Sequence, residues 1–168
     1  MKDGYTLTQI LLHWLIAILV PIQYLTGGSI ERTHHAVHLG LSPDPWDMFQ
    51  HGVHVYTGMA IGALMGIRFL VRLISGPSHS GQKGPFPTVA RLLHLGFYAA
   101  IIGQAAMGFV ASYLWFGIAP YHVIGSWIIL GMLFLHVSAA AWHTLVMKDD
   151  TLDRMTVTRG TKKPAHEA

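Results

Sequence analysis

Four long apolar runs separated by polar breaks dominate the chain: roughly Leu7–Thr26, Val53–Ile74, Leu92–Ile118 and His122–Met147. Each reaches the ~20 residues that a helix needs to cross a ~30 Å hydrocarbon core. Lipid offers no partners to backbone N–H and C=O groups, so apolar runs of this length must be helical. The pattern predicts an all-α membrane protein, a four-transmembrane-helix bundle with little mass outside the bilayer. The first run lacks a small-residue cleavage site and is too long for a signal-peptide core, so it is expected to be retained. Pro21 is expected to kink it.

The breaks are read in the same way. Gly27–Asp47, with Pro43 and Pro45, is expected to be the longest outside connection, ordered in part. Ser75–Thr88 is rich in Gly, Pro and Ser and reads as a surface turn. From Asp149 the chain turns polar. The expected organisation is one domain over residues 1–155 and a polar cytoplasmic tail over 156–168. No internal repeat and no phosphate-binding glycine loop stands out.

Composition agrees with the pattern: 52% of residues are hydrophobic and 11% charged, against about 25% charged in a soluble domain. The positive charge is unevenly spread. Arg68, Arg72, Lys83 and Arg91 cluster around the second connection, and Lys148, Arg154, Arg159, Lys162 and Lys163 follow the last run. The first connection holds only Arg32, among three acids, and the third holds no charge. The positive-inside rule then predicts both termini in the cytoplasm. Trp46 and Trp115 fall at the opposite, outer interface. The net charge of +3 mostly reflects this bias and gives no reason to invoke nucleic acid.

Histidine changes the picture most. His122 and His136 lie fourteen residues apart in the last run, nearly four helical turns, on one face and ~21 Å apart along the axis. Ionisable side chains at membrane depth mark function by default. His13 lies near the cytoplasmic end of the first run, at a depth that matches His136. His54 opens the second run from the outside and matches His122. His51, three residues earlier, is an alternative to His54. His94, near the cytoplasmic start of the third run, rivals His13 for the inner site, and His94 or His143 could hydrogen-bond a ligand in an inner pocket. His34, His35, His38, His79 and His166 fall in breaks or the tail, the first three forming a weak outer metal-binding candidate.

Gly58, Gly62 and Gly66 form a stripe beginning one turn after His54. It suits either close helix packing or a flat wall beside a planar macrocycle.

The chain contains no cysteine, which excludes disulfides, thiolate metal sites and haem bound covalently through Cys-x-x-Cys-His. Zinc wants three or four protein ligands, and copper or a di-iron site needs donors that the apolar runs lack. Two trans imidazoles leave the equatorial positions to a porphyrin. The expected cofactors are therefore two haem b groups, with iron axially ligated by His13 with His136 and by His54 with His122.

The set His13-Trp14, His54-Val55-Tyr56-Thr57-Gly58, Arg68 and Arg72, His94, His122 and His136, and Lys148-Asp149-Asp150-Thr151-Leu152 with Arg154-Met155 resembles the bacterial cytochrome b561 family of the plasma (inner) membrane. The resemblance runs from Tyr5 to about Met155. It implies a di-haem b cytochrome that exchanges electrons with ubiquinone, with His143 and Lys83, beside His94, as candidates for the quinone pocket. One branch implies a superoxide oxidase: superoxide gives an electron on the outer side, and quinone is reduced. In this chain the third connection, Leu114–Tyr121, is uncharged, so Arg32 and the loop histidines would have to steer superoxide. The alternatives are an anchor and electron conduit for a partner dehydrogenase, or a haem-free histidine-rich proton or metal transporter. A second copy of the chain is a further candidate partner.

Overall fold

The computed structural model of the chain describes residues 5–75, 86–148 and 152–156. Five α-helices follow in order: α1 (Leu7–Thr26), α2 (Gly28–His38), α3 (Pro45–Ser75), α4 (Phe86–Tyr113) and α5 (Ala119–Trp142). A 3-10 turn, Phe116–Ile118, precedes α5, and a π-helical segment, His143–Met147, follows it. Four stretches are long and apolar enough to cross a membrane, and no strand occurs among the described residues. The chain is an all-α membrane protein with a four-span bundle.

Local chemistry sets the helix ends. The Thr6 hydroxyl accepts from the Gln9 N–H at 3.2 Å, and the Gln9 side chain accepts from the Thr6 N–H at 3.0 Å. This reciprocal box satisfies two backbone donors that a helix start leaves unpaired. Asp44 plays a similar part for α3, its carboxylate accepting from the Trp46 N–H at 2.8 Å. Pro21 lies inside α1, where its missing N–H leaves the Ala17 carbonyl without the usual helical donor.

The outer break differs from its reading as a connection. Gly27 keeps right-handed helical dihedrals (φ −59°, ψ −37°), so α1 passes almost directly into α2. The run Gly28–His38 is polar but contains no proline to stop the helix. Residues His34, His35 and His38 are thus helical, not looped. Similarly, α3 starts at Pro45, eight residues before the apolar run, because Trp46–Gly52 forms an interfacial first pair of turns.

Large contacts join α1 to α3, α3 to α4 and α4 to α5. They form an open series of three interfaces, with no comparable one joining α5 back to α1. Ile16, Ile61, Met65, Phe97, Tyr98, Ile101 and Ile129 form the buried core. Outward residues such as Trp127, Phe134 and Leu70 are exposed yet apolar, as expected of faces whose solvent is lipid.

The three glycines of the stripe have different surroundings. A Cβ on Gly62 would stand 2.6 Å from Ala105 Cβ of α4, one on Gly58 would stand 3.2 Å from the Gln23 amide oxygen of α1, and one on Gly66 would meet nothing within 4 Å. Close helix packing therefore accounts for Gly62. A bare wall for a macrocycle finds no support at Gly58 or Gly62.

Candidate functional site

Two histidine pairs face each other across the bundle, with outer and inner denoting the ends assigned by the charge bias. The outer pair is His54 of α3 with His122 of α5, ring centres 6.3 Å apart and planes at 78°. The inner pair is His13 of α1 with His136, also 6.3 Å apart, with planes at 71°. The fourteen-residue interval in α5 thus presents one ring at each level, and α1 and α3 each supply one partner.

Hydrogen bonds define the outer rings further. His54 Nδ1 lies 3.1 Å from the Gln23 carbonyl, and His122 Nδ1 lies 3.1 Å from the Gln104 carbonyl. A carbonyl only accepts, so Nδ1 carries the hydrogen in both rings and Nε2 keeps its lone pair. That is the tautomer a metal-binding imidazole uses, oriented by its second hydrogen bond. Metal–imidazole bonds of about 2.0–2.1 Å on both sides of one ion place facing ring centres about 6 Å apart. Both pairs meet this spacing.

No group of three or more His, Asp or Glu residues positioned for a metal ion occurs among the described residues. An ion between two imidazoles would need its remaining donors brought with it, as a porphyrin brings four nitrogens. The donor set fits haem and does not fit a bare zinc or copper ion.

The rival residues are placed differently. His94 approaches His136 to 5.4 Å with planes at 85°, closer than a bridged pair allows, and its Nδ1 donates to Ala90 of its own helix at 2.6 Å. His51 turns away from the outer pair to stack at 5.7 Å on His34, which in turn stacks at 4.9 Å on Phe116. The His34, His35 and His38 trio does not form a metal cluster. His143 opens the π-helical segment, a form often found at functional positions. Lys83, His79, Lys162, Lys163 and His166 lie outside the described residues.

Arg68 of α3 reaches the inner level, donating from Nη1 to the Gln9 carbonyl at 3.2 Å, and acts electrostatically on His13, His94 and His136. Trp14 Nε1 donates to the Met155 carbonyl at 2.9 Å. This ties the short C-terminal turn to α1 beside His13. At the outer end Arg32 makes a forked ion pair with Asp47, with distances of 2.6–3.0 Å.

Gln23 and Gln104 were not singled out by the sequence pattern. Two signals could have found them: an amide inside each of two apolar runs, and the spacing Gln-x-x-x-Gly at 23–27 and again at 104–108.

The family profile described as prokaryotic cytochrome b561 matches residues 4–157. The chain is 33% identical to cytochrome b562 of Cereibacter sphaeroides, covering 92% of this chain and 96% of that relative. It is 28% identical to a probable superoxide oxidase, CybB, of Yersinia pestis, covering 92% and 97%. No solved structure matches. The chain belongs to the prokaryotic cytochrome b561 family and is a multi-pass bacterial membrane cytochrome that binds b-type haem and transfers electrons.

Proposed function

We propose that His54 with His122, and His13 with His136, each hold one haem b, and that the protein passes single electrons across the bilayer to ubiquinone. The observation that carries this reading is the repetition of one geometry at two depths, 6.3 Å between ring centres in both pairs. When bound, the two haems supply one-electron carriers stacked from one face to the other. The chain's own part is to present four imidazoles, fix the outer two with free Nε2 atoms through the Gln23 and Gln104 carbonyls, and surround them with apolar helices that exclude water. The charge bias supports cytoplasmic termini and a place in the inner membrane. A single functional unit over residues 1–155, with 156–168 as a cytoplasmic tail, goes with this reading.

The donor we propose is superoxide, as the name of the Yersinia pestis relative suggests. Two superoxide anions leave as two O₂ molecules, and their two electrons with two protons convert ubiquinone to ubiquinol. The quinone pocket is placed at the inner end, near His94, His143 and Lys83. Arg68 there supplies a fixed positive charge. Stopped-flow mixing of purified protein with superoxide, with and without a ubiquinone analogue, tests the reading. Reduction by superoxide alone, followed by reoxidation when quinone is added, is expected; no reduction would exclude superoxide as donor.

One observation favours a second reading, an electron conduit for a partner dehydrogenase. The ion pair with Asp47 cancels the Arg32 charge, which weakens electrostatic steering of a small anion. In that case reduction would require the partner protein.

A further inference from the structure

One arrangement occurs twice at the outer end. Gln23 of α1 and Gln104 of α4 each accept from a histidine Nδ1 through the backbone carbonyl, at 3.1 Å in both cases. Each side-chain amide also returns a hydrogen bond to that same histidine's carbonyl, at 3.1 Å to His54 and 2.7 Å to His122. Four residues further on, Gly27 and Gly108 bring bare backbone against the ring edge: a Cβ would lie 3.6 Å from His54 Cε1 and 3.0 Å from His122 Cε1. On the histidine helices, Gly58 and Gly125 leave notches that the two glutamine amides occupy. Each outer ring is thus bracketed by one glutamine and one glycine from a neighbouring helix.

The copies differ at their edges, where Thr26 Oγ1 lies 3.4 Å from His54 Nδ1. The Gln23 amide also donates to the Thr57 hydroxyl, whereas Gln104 Oε1 is buried with no hydrogen-bond partner. An unpaired buried acceptor is destabilising. Helix cohesion alone would be served as well or better by an apolar side chain of equal length.

We propose that Gln23 and Gln104 are positioning residues of the outer pair, whose brackets fix the orientation of the His54 and His122 rings. This deepens the di-haem reading and rests on it. With haem held between them, near-perpendicular imidazole planes would leave two iron d orbitals almost equal in energy and give a strongly anisotropic low-spin ferric EPR signal. Losing the amide's hold on the histidine helix would let the carbonyl that accepts from Nδ1 shift, so the ring could turn, those orbitals would separate and the anisotropy would fall. Hydrogen bonding at Nδ1 also tunes the iron potential.

The test is EPR and redox titration of purified holoprotein carrying Gln23→Met or Gln104→Met. Methionine keeps the approximate length but cannot donate. Each variant is expected to shift or split the outer signal and move the outer midpoint potential, leaving the inner centre unchanged. Gly125→Ala, which expels the Gln104 amide without removing it, should reproduce the Gln104→Met spectrum. It also carries the test if Gln104→Met does not assemble. Selective loss of the outer haem has the same meaning as a shifted outer signal. An unchanged outer signal in the variants overturns the proposal, and so does an equal change at both centres, which reports general loosening. Failure of the underlying reading looks different: haem content would then stay unchanged when His54 and His122 are replaced together.

Discussion

The outer and inner histidine pairs share their spacing but differ in how their rings are held. The outer rings are each tied to a carbonyl on a neighbouring helix, at the end where the Arg32 charge is paired with Asp47. The inner level is crowded: His136 is within 5.5 Å of the rings of both His94 and Phe97, and Arg68 adds a cation. The outer pair has the more fixed geometry, and the inner pair the more crowded and more positively charged surroundings. An electron moving inward would go from a neutral environment to a positively charged one, which favours its arrival.

The largest test of this contrast removes one ligand from each level. His122→Ala and His136→Ala should each lose about half of the bound haem, and of different centres, as read by haem extraction and EPR. Loss of both centres in either variant would show that the levels are not independent. Next in size is the comparison of His13→Ala with His94→Ala. The first should abolish the inner low-spin signal and the second should retain it, slowing quinone reduction instead. The opposite result would exchange their roles.

A smaller effect is expected from Arg68→Gln. Loss of the cation should lower the inner midpoint potential, by about 59 mV for a tenfold change in the one-electron equilibrium. The outer potential should stay in place; an equal shift at both levels would contradict the local assignment. The smallest expected effect is that of Asp47→Asn. Freeing the Arg32 charge should raise the rate of reduction by superoxide a few-fold at low ionic strength, and salt should erase the gain. An unchanged rate would favour the partner-conduit reading.

Much of this architecture is visible in the sequence because lipid enforces it. Apolar runs longer than a bilayer must be helices, and helix rise converts the His122–His136 interval directly into a depth. The pairing of depths then selects His13 and His54. What the pattern conceals is governed by contact and not by solvent. Helix α2 escapes notice because GSIERTHHAVH is polar and does not follow the apolar rule, although nothing in it breaks a helix. The choice between His94 and His13 needs ring distances. The glutamine brackets need three-dimensional register, since Gln23 and His54 are thirty-one residues apart. Lys83 falls outside the described residues, so its part in a quinone pocket is still a proposal drawn from resemblance.

The open series of helix interfaces has a consequence for biogenesis. Among the described residues, helix α5 has its most extensive contact with α4, and meets α1 and α3 through Ile129 in the core, the ring pairs and the hydrogen bond from Tyr24 to the Ser126 carbonyl, 2.7 Å. A ligand that binds only the assembled state stabilises it by mass action. With haem held between the histidine pairs, closure of the last seam would be coupled to cofactor capture. When haem is scarce, the α4–α5 hairpin would be held loosely at the edge of the bundle, exposed to membrane proteases, and the cell's haem supply would set how much finished protein accumulates.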